Sequence, residues 1–214
     1  MIDLRQDTPE LLAHLKRALA ARDAETAERI AEVVCVREPG HENVVAFLVA
    51  RALARGEVLR ALHVARGGVR ARPESARLRF QHGLALAASG DAQAALEAFR
   101  DARGRDPDLL VAPLWQADCE AGLGRDEDAL RSRLCALNLA ERLGLLAPTA
   151  QLASPVRERL STAVAAVQAA RREAIEPALA AFRERHAFAP NERIFLMVDR
   201  AKTHIFDAAT GQRL

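Results

Sequence analysis

Apolar and polar residues follow helical spacing between His82 and Asp108, where the chain is HGLALAASGDAQAALEAFRDARGRDPD. Two segments rich in Ala and Leu flank Gly90-Asp91, and Pro107 follows the second segment. Glycine is favoured just after a helix, where the backbone commonly takes a positive φ, and aspartate can cap the helix that follows. Proline cannot continue a helix. The stretch therefore predicts two antiparallel helices joined by a tight turn.

The same pattern recurs at intervals of 34 residues. Three sets of positions share this spacing: Gly56, Gly90 and Gly124; Ala27, Ala61, Ala95 and Ala129; and Pro39, Pro73 and Pro107. A helical hairpin with this period resembles the tetratricopeptide repeat (TPR), most fully over residues 76–109. There, Gly83 and Ala95 stand at the small-residue positions of the two helices, and we expect them to face each other. Phe99 and Ala102 are expected to face the next repeat.

The resemblance implies an all-α fold, a right-handed superhelical solenoid of about four TPR hairpins followed by a long C-terminal helix. The array is expected over 8–143, in units 8–41, 42–75, 76–109 and 110–143. The first unit carries Arg22-Asp23 where the others have the turn glycine. In the fourth unit Glu141 replaces the closing proline, so its second helix is expected to run on beyond the usual end.

Residues 144–154 are predicted to connect the array to a C-terminal helical cap or extension over 155–214. Ser154-Pro155 is typical of a helix start, because serine caps the helix and proline is favoured in its first turn. Pro177 is expected to kink or interrupt the helix. Apolar residues at helical spacing support this prediction, namely Leu160, Val164, Val167 and Ile175.

Charge and composition exclude several classes of partner. The formal net charge is +2, which is too small to favour nucleic acid or an anionic membrane. The chain has no apolar run of the length that spans a membrane, and its polar first residues do not resemble a signal peptide. Its three cysteines, Cys35, Cys119 and Cys135, form no Cys-x-x-Cys pair. We therefore expect reduced thiols and a cytoplasmic protein.

No arrangement of residues in the sequence points to catalysis, a cofactor or a metal. The common phosphate-binding, nucleophile and dinucleotide-binding glycine motifs are missing. His204 and Asp207 are spaced wrongly for the His-x-Asp pair of an iron site. His82 falls at an inner helix position, where we expect a partly buried, hydrogen-bonded side chain. Glu–Arg neighbours at helical spacing are expected to be ordinary solvated pairs.

A binding groove is the remaining candidate site. In TPR arrays the first helices of the units line a concave groove, and the resemblance assigns groove positions by register. Leu12 and Lys16 stand where some members of the family carry the Lys and Asn that hold a C-terminal carboxylate, so that specificity is not expected. The candidate partner-binding residues are Leu12, Lys16, Asn43, Ala46, Ala50, Arg77, Phe80, Leu84, Leu114 and Asp118.

These groove residues are mainly apolar with a few charges, a composition that favours an amphipathic helix or peptide over an acidic tail. The occupying helix belongs either to a partner protein or to this chain's own 155–186 segment, and the sequence leaves both open. The first function compatible with the sequence is thus a non-enzymatic scaffold or adaptor that binds proteins.

The second function follows from a further resemblance. SPVRERLSTAVAAVQAARRE and the later NERIFLMVDR, where a short helix is expected after Pro190, resemble the N-terminal TPR region of bacterial aspartyl/asparaginyl β-hydroxylase-like proteins. That resemblance implies a substrate-presenting or regulatory region of an Fe(II)/2-oxoglutarate-dependent enzyme whose catalytic domain is absent from this chain. The final THIFDAATGQRL is compatible with the start of a strand and turn. The two functions differ in whether the native protein continues past Leu214.

Overall fold

The computed structural model describes residues 5–147 and 150–185, with the backbone alone for 177–185, and every element in these ranges is helical. The chain up to Gln168 forms one compact unit. The helices are α1 (Thr8–Ala20), α2 (Ala24–Arg37), α3 (Glu42–Ala54), α4 (Val58–Ala71), α5 (Ala76–Ala88), α6 (Ala92–Arg105), α7 (Val111–Gly122), α8 (Asp126–Arg142) and α9 (Ser154–Arg185).

The first eight helices form four antiparallel hairpins that repeat every 34 residues, which confirms the predicted all-α solenoid. Helices α1, α3, α5 and α7 are the first helices of the hairpins, and their last residues are Ala20, Ala54, Ala88 and Gly122. The second helices begin at Ala24, Val58, Ala92 and Asp126. Helix α8 continues to Arg142, as the missing proline of the fourth unit predicts.

Each hairpin turn contains one residue with left-handed backbone geometry. The N–H of the next residue donates to a carbonyl five residues earlier, as from Asp91 to Leu86 at 3.1 Å and from Asp23 to Ala18 at 2.9 Å. These bonds satisfy carbonyl groups that the end of a helix leaves without a partner. The left-handed residues are Arg22 (φ +58°), Gly56 (+74°), Gly90 (+86°) and Gly124 (+70°).

The second helices of two hairpins begin with an aspartate cap, of which the sequence analysis predicted the one at Asp91. A side-chain oxygen of Asp91 accepts a hydrogen bond of 3.0 Å from the N–H of Ala94. Asp23 caps α2 in the same way, with 3.1 Å to the N–H of Thr26. Local sequence thus determines both the end of one helix and the start of the next.

Phe99 fills the space where the helices of the third hairpin cross. A Cβ added at Gly83 would lie 2.5 Å from Cε1 of Phe99, so this glycine is required by the aromatic ring. Phe99 is fully buried within its own hairpin and lies against Gly83, a contact that the sequence analysis did not predict, while the expected contact between Gly83 and Ala95 stays a prediction. The same cluster includes Ala112 of α7, so Phe99 also contributes to the contact with the next hairpin.

Two buried carboxylates link neighbouring hairpins. Glu28 of α2 is 6% exposed and accepts hydrogen bonds from Arg51 (3.4 Å), Arg55 (2.8 Å) and Arg60 (3.0 Å), which lie in the second hairpin. These contacts are not the Glu–Arg neighbours at helical spacing that were expected to be solvated. These arginines lie far from Glu28 in sequence, so helical spacing does not reveal them.

Glu120 of α7 is the second buried carboxylate, with 1% of its surface exposed. It accepts hydrogen bonds from Gln116 (2.8 Å) and from the hydroxyl of Ser132 in α8 (2.6 Å). Arg100 of α6 donates to it at 3.2 Å, across the boundary between the third and fourth hairpins. Its oxygens therefore have the partners that a buried charge needs.

Helix α9 begins at Ser154 and continues past Pro177 to Arg185, so of the expected kink or interruption at this proline the interruption does not occur, and the kink stays a prediction. The expected helix after Pro190 and the strand or turn in THIFDAATGQRL lie outside the described residues.

Arg22→Gly is expected to stabilise the fold by about 1 kcal/mol, because arginine is strained at a left-handed position where glycine is not. The matched change is Gly56→Arg, which places the same side chain at the equivalent turn. A Cβ at Gly56 would have no neighbouring atom within 4 Å, so the cost there comes from the backbone alone. Urea unfolding should move the two variants in opposite directions, and a shift of both in the same direction would contradict this explanation.

Glu28→Gln is expected to lower the free energy of unfolding at pH 7 by about 1–2 kcal/mol, since charge-assisted hydrogen bonds are lost. Burial by itself would raise the pKa of Glu28, but the hydrogen bond from Arg60 and the nearby Arg55 and Arg51 hold this pKa below its ordinary value of 4.5. The stabilisation is therefore present above pH 4.5 and is lost as the pH falls further. Unfolding curves of both proteins should converge in acid, and a constant difference down to pH 3 would contradict the assignment.

Candidate partner-binding groove

The ten predicted groove residues all lie on the first helices of the hairpins, but they differ in exposure. Five are exposed at the surface: Lys16, Asn43, Ala50, Arg77 and Asp118. Three are half-buried: Leu12, Ala46 and Leu84. Phe80 and Leu114 are buried, at 6% and 2% exposure. These ten residues define the groove face.

Phe80 packs into the core between the third and fourth hairpins. Its ring centroid lies 5.5 Å from that of Phe99 and 5.5 Å from that of Trp115, with an edge-to-face arrangement in the second pair. Aromatic pairs of this geometry add stabilisation beyond the area they bury. Phe80 therefore joins two hairpins, and a polar substitution there would damage the core as well as any binding surface.

The start of α9 covers the groove face at the fourth hairpin. Leu114 belongs to a core cluster that also contains Leu160 of α9. Nε of Arg159 donates to Oδ2 of Asp118 at 2.7 Å, and the guanidinium carbon lies 3.9 Å from the centroid of the Trp115 ring. Both predicted groove residues of this hairpin thus contact the chain's own C-terminal helix.

The groove face of the first three hairpins is different. Their core clusters, as far as the structure describes the chain, consist of residues from α1 to α7. Lys16, Ala50 and Arg77 are exposed, and Leu19 near the end of α1 is 44% exposed. Within the described residues, α9 contacts the groove face at the fourth hairpin, and the groove positions of the first three hairpins are exposed or half-buried apart from Phe80.

Trp115 and Arg159 are the contact residues that the sequence analysis missed. Trp115 is the chain's single tryptophan, and a lone tryptophan beside predicted groove positions was a usable signal. Arg159 carried no such signal because the chain is rich in arginine at helical spacing. Only the fold of α9 onto α7 brings this guanidinium to the Trp115 ring.

The other candidate side chains do not form a reactive site. Cys35 and Cys119 are half-buried, and burial raises the pKa of both thiols, which makes them weak nucleophiles at neutral pH. Cys135 is exposed on α8, and the three are free thiols.

Within the described residues, no group of His, Cys, Asp or Glu side chains has an arrangement that would hold a metal ion. None of the helices described is both long and apolar enough to cross a membrane.

Comparison with solved structures identifies the architecture. A crystal structure of MamA protein superposes with a TM-score of 0.56 at 14% identity, over 86% of this chain and 98% of that one. MamA 41-end from Desulfovibrio magneticus RS-1 gives a TM-score of 0.55 at 20% identity, over 64% and 77%. MamA is a TPR-like helical-repeat protein. This chain has the TPR-like fold. No protein-family model and no curated protein matches it.

The resemblance to β-hydroxylase-like proteins receives no support from these comparisons. The NERIFLMVDR segment that suggested it lies outside the described residues. Sequence identities of 14% and 20% to MamA show the fold of this chain and do not indicate its partner.

His82 on α5 is half-buried, as expected, but its Nε2 is buried without a hydrogen-bond partner among the described residues, contrary to expectation. Desolvation, with Arg66 and Arg79 nearby, lowers the pKa of His82 below its ordinary value of 6.5. Protonation is therefore less favourable in the folded state than in the unfolded chain. As the pH falls through 6.5, the fold loses the stability that it has at higher pH.

His82→Leu should remove this pH dependence in the TPR-like array. We expect the variant to be at least as stable as the wild type at pH 7 and clearly more stable at pH 5.5, since the buried Nε2 of His82, which lacks a partner, is then removed. The difference in thermal midpoint between the two proteins, followed from pH 8 to 5, isolates His82 from the other histidines. A difference that is independent of pH would contradict the explanation.

Proposed function

We propose that this chain is a non-enzymatic scaffold that binds a peptide or an amphipathic helix of another protein on its groove face. The observation that carries the proposal is the surface of the first three hairpins, where the groove positions other than Phe80 are exposed or half-buried although the array is otherwise well packed. Leu12 and Leu84 pack partly against the core of their own hairpins, and the apolar surface that they and Ala46 leave exposed is what a partner's apolar face would cover.

The same surface indicates which partner suits it. Lys16 and Arg77 are exposed there, and Arg77 forms a long ion pair of 3.9 Å with Glu42. Small side chains at Ala46 and Ala50 leave room for a backbone or helix to approach closely. A helix with an apolar face and acidic flanks fits this combination of groups.

Free thiols at Cys35, Cys119 and Cys135 suit a reducing compartment, so the proposal places the scaffold in the cytoplasm. The partners proposed are proteins, since a formal charge of +2 gives little attraction to nucleic acid.

The test is affinity capture from lysates of the source cells, with recovered proteins quantified by mass spectrometry. A Lys16→Glu, Ala50→Glu double variant places two negative charges on the groove face at exposed positions. We expect recovery of specific partners to fall at least tenfold, the change that about 1.4 kcal/mol of lost binding energy produces. Phe80 is not substituted, because it is part of the core.

Arg29→Glu is the matched control, because Arg29 is exposed on α2, the second helix of the same hairpin as Lys16. This control should recover partners like the wild type. Thermal unfolding should be similar in all three proteins, since the substituted residues are exposed. Equal loss in the control, or full recovery by the double variant, would mean that the groove face is not the binding surface.

A further inference from the structure

The groove face ends at the fourth hairpin in a small polar and aromatic site. Trp115 and Asp118 lie one helical turn apart on α7, and both contact Arg159 of α9. A guanidinium over the face of a tryptophan is attracted by the ring's electrons, and the carboxylate adds a hydrogen bond and an opposite charge. This pair of residues has the chemistry that binds an arginine side chain.

The contact that α9 makes with the array is slight for an element of its length. Over 154–168 it buries three side chains, those of Leu160, Ala163 and Val167. Helix α5, with 13 residues, buries six. The Arg159–Asp118 pair is also partly solvated, with side chains 30% and 45% exposed. Segments with few buried contacts open at a lower free energy than the rest of a fold.

Opening of this segment would expose a surface that needs a cover. Leu110, Leu114 and Leu139 belong to the cluster that Leu160 completes, and Trp115 packs at its edge. Such a surface is apolar and is flanked by the negative charge of Asp118. A replacement must therefore present an apolar helical face together with a positive charge, and an acidic tail would be repelled.

We propose that Trp115 and Asp118 form an arginine-binding subsite at the end of the groove, which Arg159 occupies in cis and from which a partner's amphipathic helix displaces the start of α9. The inference rests on the proposed function, because the partner is the one that the groove face binds. The displacing helix carries Arg directly before Leu, with small or β-branched apolar residues one and two turns later, as in α9 itself. The segment 154–168 is thus an autoinhibitory contact.

The probe is a synthetic peptide with the sequence of residues 154–168, SPVRERLSTAVAAVQ, added to the full chain. The peptide has no tryptophan, so a fluorescence change on titration belongs to Trp115. Because the cis segment acts at a high effective concentration, the wild-type chain should bind the peptide weakly. The Arg159→Ala chain should bind it about tenfold more tightly, as the cis segment loses its cation–π and ionic contacts.

Two controls test the role of arginine. An Arg171→Ala chain loses an exposed arginine of the same helix and should bind the peptide like the wild type. A peptide with Ala at the position of Arg159 should bind the Arg159→Ala chain about tenfold more weakly than the original peptide. In an Asp118→Asn, Arg159→Ala chain the difference between the two peptides should become smaller, since the carboxylate partner of the arginine is gone and only the Trp115 ring remains.

The proposal is overturned if the peptide gives no saturable signal with the Arg159→Ala chain, or if all chains bind it equally. An Arg159→Lys chain, which keeps the charge but not the planar group, gives a second measurement in a protein with the same net charge, and its affinity should lie between the wild type and Arg159→Ala. Failure of these titrations leaves the Lys16 and Ala50 capture result unaffected. A successful titration together with full partner recovery by the Lys16→Glu, Ala50→Glu variant would instead overturn the proposed function and leave the arginine-binding subsite standing.

Discussion

A short helical hairpin cannot bury its apolar surface by itself, and the structure depends on each hairpin being covered by the next. Phe80, Phe99 and Trp115 show how this is achieved. Phe99 fills the crossing of the third hairpin over Gly83, Phe80 packs on it, and Trp115 of the next hairpin closes the group. The last hairpin has no successor, so another element must take that role. Helix α9 does so by placing Leu160 against Leu114.

Apolar stacking alone would tolerate sliding between hairpins, because hydrophobic contact is not directional. The hydrogen bonds of the buried carboxylates are directional and fix the register between neighbouring hairpins. Glu28 accepts hydrogen bonds from arginines of the following hairpin, and Glu120 joins Arg100 of the third hairpin to Ser132 of the fourth. A buried charge is costly without its partners, so these contacts disfavour any other register. The arrangement keeps the groove positions in line along the array.

The two ends of the groove face therefore differ in kind. At the first hairpin, Lys16 is exposed and the surface is open. At the fourth, Asp118 and Trp115 hold Arg159, and the chain covers its own surface. A capping helix and a bound partner helix satisfy the same physical need, since both cover apolar groups that the array cannot bury alone. This equivalence is why one segment of α9 can complete the fold and also resemble a ligand.

Local sequence determined the helices of this protein and the turns between them. The 34-residue spacing of Gly56, Gly90 and Gly124, with Arg22 in the same left-handed geometry, follows from backbone preferences that act within a few residues. Asp91 caps its helix for the same reason. Tertiary structure decided which residues lie opposite each other, such as Phe99 over Gly83 and Arg159 on Trp115. Those contacts join residues that are distant in sequence, and their energies depend on packing and burial that no local pattern contains.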